Sequence, residues 1–361
     1  MGVEEEFLLA DRTTRETVLS APVVMGATRE LVGSAHVELE FSPAQLETVS
    51  AVCADAAALE KEITRLRTAA AAQAERAGSF LIAGGIPILG DPGPPPVQDK
   101  PRYQQIERCF GPLARHQCVG ACHVHIGVED HEEAVQVVNH VRVWAPLLLA
   151  LSSNSPFWNG ADTGYASWRT LLWGRWPTAG PPPIFSSAEE YERVVRALVA
   201  SGAAMDPAML YWQVRPSRHV PTVEVRVADV MPEVSDTVAF ALLVRALVSE
   251  SLDRVRGGRA APPVPEAVLR AATWRAAREG MTGSLLDVER PDPAVVPAWQ
   301  LAGDLVAQVE THLASAGDLP AVTNWMADLR EQGTGATRQR RVARRSHGRL
   351  EAVVDALRVG T

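Results

Sequence analysis

Three extended, otherwise apolar stretches of this chain place ionisable side chains two residues apart. Gly2-Val-Glu-Glu-Glu-Phe7 carries Glu4 and Glu6. Cys122-His-Val-His-Ile-Gly127 carries His123 and His125. Thr222-Val-Glu-Val-Arg-Val-Ala-Asp229 carries Glu224 and Arg226. Side chains on a strand alternate between faces, so each pair points one way while Glu5, Cys122 and the valines point the other. Glu38 and Glu40 repeat the spacing, and Glu47 follows seven residues after Glu40. A face carrying Glu, His and Arg is too costly to bury as core. Two carboxylates on one face also repel each other unless a cation lies between them. Such a face suits oxygen-liganded divalent cations and a polyphosphate. Mg²⁺ takes carboxylates and phosphate oxygens, and Arg neutralises a transferring phosphoryl group.

The composition narrows how that chemistry is done. Only Lys61 and Lys100 stand against thirty-three arginines, and neither follows a glycine, so no Gly-Lys-Ser/Thr phosphate loop is present. The phosphoryl chemistry expected here is therefore ATP-dependent but does not use a phosphate loop. A Cys2His2 zinc site is disfavoured, because His123 and His125 share one face and Cys118 and Cys122 the other. The net charge of −8 argues against a nucleic-acid partner. No apolar run reaches the roughly 18–20 residues a membrane span needs. With four cysteines, no Cys-x-x-Cys pair and an acidic start at Glu4–Glu6, the expectation is a cytoplasmic protein.

Six stretches read as strands: 3–9, 36–41, 80–86, 118–128, 210–215 and 222–228. Helical spacing marks 54–77, 132–153, 188–201 and 234–255, then 265–278, 294–314, 320–330 and 337–359. The expectation is one α+β domain over 1–361, with a sheet-containing core over 1–256 and a helical part over 257–361. Two proline-rich stretches, 90–96 and 177–183, read as surface linkers. Trp158, Trp168, Trp173 and Trp176 read as core packing and a rigid wall, with a water-excluding lid as the functional alternative. Arg338 to Arg349 form a basic run, read as a solvated helix face with Arg338 placed to bind an anion.

Several motifs, taken in order, carry a family likeness. They are Gly2 to Phe7, Cys122-His-Val-His-Ile-Gly-Val128, Arg169 through Trp176-Pro177-x-x-Gly-Pro181, Tyr211-Trp212-x-x-Arg215-Pro-Ser217, Pro221 to Arg226 and Gly335-Ala-Thr-Arg-Gln-Arg340. Together they resemble the glutamate–cysteine ligase type 2 family, the YbdK-like carboxylate–amine ligases, over about 1–355. The resemblance implies a glutamine-synthetase-like core: a curved, mainly antiparallel sheet forming a funnel, with helices on its outer face. It implies that ATP phosphorylates a carboxylate, typically that of glutamate, and that an amine, typically that of cysteine, attacks the acyl phosphate. It also implies Mg²⁺, with Mn²⁺ as a substitute, and a homodimer.

Residue by residue, Glu4, Glu6, Glu47, His123 and Glu224 match metal ligands, and Glu40 a less certain one. His125 falls where nucleotide phosphates are expected, and Arg226 over the transferring phosphate. Arg169, Arg215 and Arg338 match groups for substrate carboxylate or phosphate. The chain departs from many relatives at Ala83-Gly-Gly-Ile-Pro-Ile88, which has no His or Thr. That loop borders the funnel, so acceptor specificity does not carry over. A guanidino-kinase-like phosphotransferase and a regulatory nucleotide binder remain as alternatives.

Overall fold

The computed structural model describes residues 1–90, 97, 98, 100–115 and 118–360. The proline-rich stretch 91–96 lies outside them. Seven strands form one antiparallel sheet, one more than the six expected. β1 (Gly2–Asp11) runs through its middle. On one side lies β3 (Gln45–Val49), with β2 (Val37–Leu39) beyond it. On the other side β1 pairs first with β5 (Ala121–Gly127) and then with β4 (Ser79–Ile82). β9 (Thr222–Asp229) follows β5, and β8 (Val214–Pro216) closes the row. Two small hairpins stand apart: β6 (Phe157–Trp158) with β7 (Ala161–Asp162), and β10 (Ser284–Asp287) with β11 (Ala294–Pro297).

The period-two pattern has its expected consequence. Val3, Val124, Ile126, Val223 and Val225 are buried against the helices His131–Val141, Ala145–Ser152 and Val234–Arg256. Phe7, Leu9 and Leu46 pack with the helices Ala21–Val32 and Ala56–Arg76. Glu5 also lies on this apolar side, where Arg67 answers it with two hydrogen bonds of 2.9 and 2.6 Å. Arg67 donates as well to the carbonyls of Met231 and Pro232, just past β9. The opposite face is apolar only at its far end, where Leu8, Ala10, Phe80 and Ile82 pack with Val353, Val354 and Leu357. Its near end carries Glu4 and Glu6.

Several expected elements change at identifiable residues. The stretch 132–153 is two helices bent by 68°, because the second begins at Ala145 with Pro146 in its first turn. No single helix among the described residues is long and apolar enough to cross a membrane. The stretch 337–359 breaks into Gly335–Arg345 and Glu351–Asp355, with His347 and Gly348 at positive φ between them. The part after 256 is not all helix, since residues 294–297 pair as β11 and the helix starts only at Ala298, after Pro297. Within 210–215 only Val214 and Arg215 join the sheet, while Trp212 bridges to Gly180. That bridge also corrects the reading of 177–183 as a surface linker: Ala179, Pro181 and Pro182 are buried.

Gly120 marks a close approach of three chain segments. A Cβ there would sit 2.5 Å from the Gly84 carbonyl oxygen and 2.8 Å from that of Glu6. Backbone cannot yield as a flexible side chain can. Gly120→Ala is therefore expected to cost about 1–3 kcal/mol, read as a lowered urea midpoint. An unchanged midpoint would show that these segments are free to separate.

Candidate functional site

Register brings the ionisable residues of five strands into one row. Across the sheet Glu47 faces Glu6, Glu4 faces His123, and Glu224 lies between His125 and Arg215. Directly opposed side chains sit roughly 4.5–5.5 Å apart, so three groups form. They are Glu6, Glu40 and Glu47; Glu4, Glu47 and His123; and Glu4, His125 and Glu224. Within each group the potential ligand atoms lie within 4.8 Å of one another. Glu40 enters from the turn after β2, not from a strand.

The details follow from burial and charge. His123 Nδ1 is 3.0 Å from Glu4, and its Nε2 is 3.9 Å from Glu6. Burial, then the Arg226 charge, pushes His123 down to about 4, so the ring is neutral and able to ligate. Burial pushes Glu4 up, but the hydrogen bond with His123 and the His125 ring close by outweigh it and hold Glu4 ionised well below the usual carboxylate range. Glu6 accepts from the Ala121 N–H at 3.0 Å. Burial, then Glu40, pushes Glu6 up to about 8. Burial also raises Glu40, and burial with the charges of Glu40, Glu4 and Glu6 raises Glu47 well above its ordinary value. These carboxylates crowd each other, and a divalent cation would relieve all three at once.

His125, expected at the nucleotide phosphates, stands with Glu4 and Glu224. Its Nδ1 lies 2.9 Å from the Thr222 hydroxyl, which orients the ring. Its buried Nε2 has no hydrogen-bond partner among the described residues, although it lies 3.3 Å from Glu4 and 3.9 Å from Glu224. An unpartnered imidazole nitrogen between two carboxylates fits a cation ligand whose other nitrogen is held by a neighbour. The residues present thus fit divalent cations on an observation independent of the sequence pattern.

The arginines divide. Arg226 pairs with Glu224, and Arg215 donates to the same carboxylate at 2.7 Å. Burial pushes Glu224 up, but Arg226 and Arg215 outweigh it and keep Glu224 ionised. Arg215 is fixed further by the carbonyls of Ala208 and Leu210. Arg169 lies beneath, 3% exposed, donating to the carbonyls of Arg226 and Val227 and 3.6 Å from Asp229. Arg338 is not brought to this row. It is tied to Asp236 at 3.0 Å and to the Gly333 carbonyl.

Two features escaped the sequence reading. Buried Asp229 accepts from the Asn154 N–H and from the hydroxyls of Ser155 and Ser167 at 2.7–2.9 Å, which fixes the neighbourhood of Arg169. Its only sequence signal was an acid ending an otherwise apolar strand. Gln213 is the other, with no motif to mark it. Of the four tryptophans, Trp173 and Trp176 pack on Tyr211, at 4.7 and 5.3 Å between ring centroids, and Trp173 and Tyr211 line a cavity beside Arg226.

Residues 1–356 match the glutamate–cysteine ligase family 2. The chain is 48% identical over 362 residues to a Saccharopolyspora erythraea protein provisionally named glutamate–cysteine ligase 2-1, covering all of this chain and 94% of that one. It is 45% identical to a Salinispora arenicola protein provisionally named glutamate–cysteine ligase 2, again with 100% and 94% coverage. Among solved structures, the glutamate–cysteine ligase of Francisella tularensis, in complex with AMP, superposes with a TM-score of 0.71 at 14% identity. That match covers 99% of this chain and 86% of the other, and at such identity it speaks for the fold alone.

Proposed function

The chain belongs to glutamate–cysteine ligase family 2, the family of ATP-dependent carboxylate–amine ligases, and on that premise we propose that it makes a γ-glutamyl amide, with glutamate and cysteine as the first pair to try. The observation that carries the reading is the row in which three groups of Glu and His lie beside Arg226. In this reading a carboxylate oxygen of the acid attacks the γ-phosphorus of ATP, and the bond to ADP breaks. The amine then attacks the acyl phosphate, phosphate leaves, and a proton is released. Bound divalent cations, Mg²⁺ or Mn²⁺, would neutralise the phosphates and draw them toward the acid.

The chain's own residues supply position and charge. Glu4, Glu6, Glu40, Glu47, His123, His125 and Glu224 hold the cations. Arg226 faces the transferring phosphoryl group. Burial lowers its pKa, but Glu224 and Glu4 outweigh that and raise it, so it stays cationic. Arg215 positions Glu224, and Arg169 props the backbone of β9 at Arg226 and Val227. The Trp173 and Tyr211 rings keep water from the acyl phosphate.

ADP release from ATP and Mg²⁺ is measured with glutamate, with and without a panel of amines, and product masses are read in parallel. Release that needs both acid and amine, with a γ-glutamyl amide mass, is the expected result. A stable phospho-product without amine would make the chain a phosphotransferase. ATP binding with no ADP from any pair would make it a regulatory nucleotide binder. Mg²⁺ or Mn²⁺ alone is also expected to raise the Tm, since a cation at 100-fold its Kd adds about 2.7 kcal/mol by linkage. Glu47→Gln, which removes a ligand shared by two groups, should shrink that shift. An equal shift in the variant would refute the placement of the cations.

A further inference from the structure

A cavity of about 240 Å³ opens beside Arg226, between the helix Trp168–Trp173, the loop at Gly180 and the helix Glu266–Glu279. Arg226 lines both this cavity and the row of carboxylates. Three of the residues that line it each carry a buried polar atom with no partner among the described residues: Arg226 Nε, Arg169 Nε and Gln213 Oε1. Arg169 and Gln213 are 3% and 8% exposed. Neither side chain is loose. Gln213 Nε2 donates to Thr273 at 3.2 Å, its backbone N–H donates to Gly180, and Arg169 is held by β9. Buried polar groups normally find partners. Three orphans on residues that line one cavity therefore mark a place for a polar ligand.

Their chemistry is specific. Two guanidinium N–H groups donate, which suits a carboxylate. One amide oxygen accepts, which suits an amine or ammonium. Thr170, Thr273, Arg175 and Arg270 also reach the lining, and the broadest part of the wall is apolar: Leu171, Ala179, Pro181 and the rings of Trp173, Tyr211 and Trp274. Trp274 is half-exposed at the rim, so a long side chain lies along the rings toward solvent instead of meeting a wall. Among the described residues, no cysteine, histidine or carboxylate lines the cavity to single out a thiol.

We infer that this cavity seats the amine acceptor as an α-amino acid. Arg169 and Arg226 hold its carboxylate, Gln213 holds its amine, and its apolar side chain lies on the aromatic wall, with no built-in preference for cysteine. The inference rests on the ligase reading and names that site's substrate class. The acceptor's nitrogen is thereby brought next to Arg226, where the acyl phosphate forms.

The test measures kcat/KM for ADP release at saturating glutamate with five acceptors: L-cysteine, its thiol-free isostere L-2-aminobutyrate, L-leucine, L-phenylalanine and cysteamine, which lacks the carboxylate. Leucine or phenylalanine should exceed cysteine at least ~10-fold, the smallest effect of one extra methylene in an apolar pocket. 2-Aminobutyrate should match cysteine within a few-fold, and cysteamine should fall at least ~100-fold below it. Cysteine at least ~10-fold better than both 2-aminobutyrate and leucine would overturn the inference.

Two variants keep the test sharp. Gln213→Leu should raise the acceptor KM at least ~10-fold and leave the KM for ATP unchanged. Trp274→Ala, at the half-exposed rim of the cavity, should lower the kcat/KM for phenylalanine more than that for cysteine. Unchanged acceptor kinetics in both would overturn the inference. If no pair releases ADP, the ligase reading fails, and calorimetric titration of the full chain with the same amino acids decides the cavity. Leucine or phenylalanine binding that weakens in both variants upholds it, and no binding refutes it.

Discussion

Glu224→Gln is expected to lower kcat/KM by about 10²–10³-fold, the loss seen when one preorganised charge partner of a reacting group is removed. Glu224 is 2% exposed and does three things at once. It pairs with Arg226, accepts from Arg215 at 2.7 Å, and forms a candidate cation group with Glu4 and His125. Glutamine keeps the shape and still accepts from Arg215 but carries no charge. Arg226 would lose the anion that aims it, and the cation group would lose a ligand. Fold loss is not expected, because Arg215 retains the carbonyls of Ala208 and Leu210. The KM for Mg²⁺–ATP should rise together with the fall in kcat, with a Tm close to that of the parent. A fully active, folded variant would remove Glu224 from the cation and phosphate machinery.

Arg67→Met is expected to cost about 3–5 kcal/mol, the range for stranding one partner of a buried ion pair. That is a large part of the 5–15 kcal/mol that holds a typical domain together. Arg67 and Glu5 have side chains 4% and 2% exposed, so neither charge has water to turn to. Arg67 also satisfies the carbonyls of Met231 and Pro232 and contacts Thr237, which in turn donates to Glu5. The double variant Glu5→Met, Arg67→Met should recover much of the loss, since a packed apolar pair is often no worse than a buried ion pair. Urea midpoints for the two single variants and the double variant close the cycle. Equal losses for Arg67→Met alone and for the double variant would show that the carbonyl bonds, not the Glu5 charge, make Arg67 matter.

Glu5 also explains why the face that carries the candidate site stays intact. A one-residue slip of β1 would turn Glu4 and Glu6 into the core and Glu5 out of it. The ion pair to Arg67 penalises that slip from the far side of the sheet, so a residue outside the candidate site fixes the register of those within it.

The sequence was legible where the signal was local. β1, β5 and β9 were found because alternation is a property of consecutive residues, and the polar face followed from it. Pro146 and Pro297 mark the helix breaks in the sequence itself, but the apolar spacing runs on through both and hides them. β3 was missed because Gln45-Leu-Glu-Thr-Val49 is too short to show a period, although Glu47 was marked. Arg338, at a helix start in the sequence, reads as an anion site. The fold set Asp236 beside it, from a helix about a hundred residues earlier.

What the sequence determined by itself was which side chains share a face, because the two-residue period of a strand is set by its own backbone. What the tertiary structure decided was which faces meet. Glu47 lies beside Glu6, Glu4 beside His123, and His125 beside Glu224 because antiparallel pairing fixed those registers between strands far apart in sequence. The same holds for Arg67 under Glu5 and for Gln213 beside Arg169 and Arg226. Register is chosen by the summed burial of both faces and by the ion pairs that seal them, and no local stretch of sequence contains that sum.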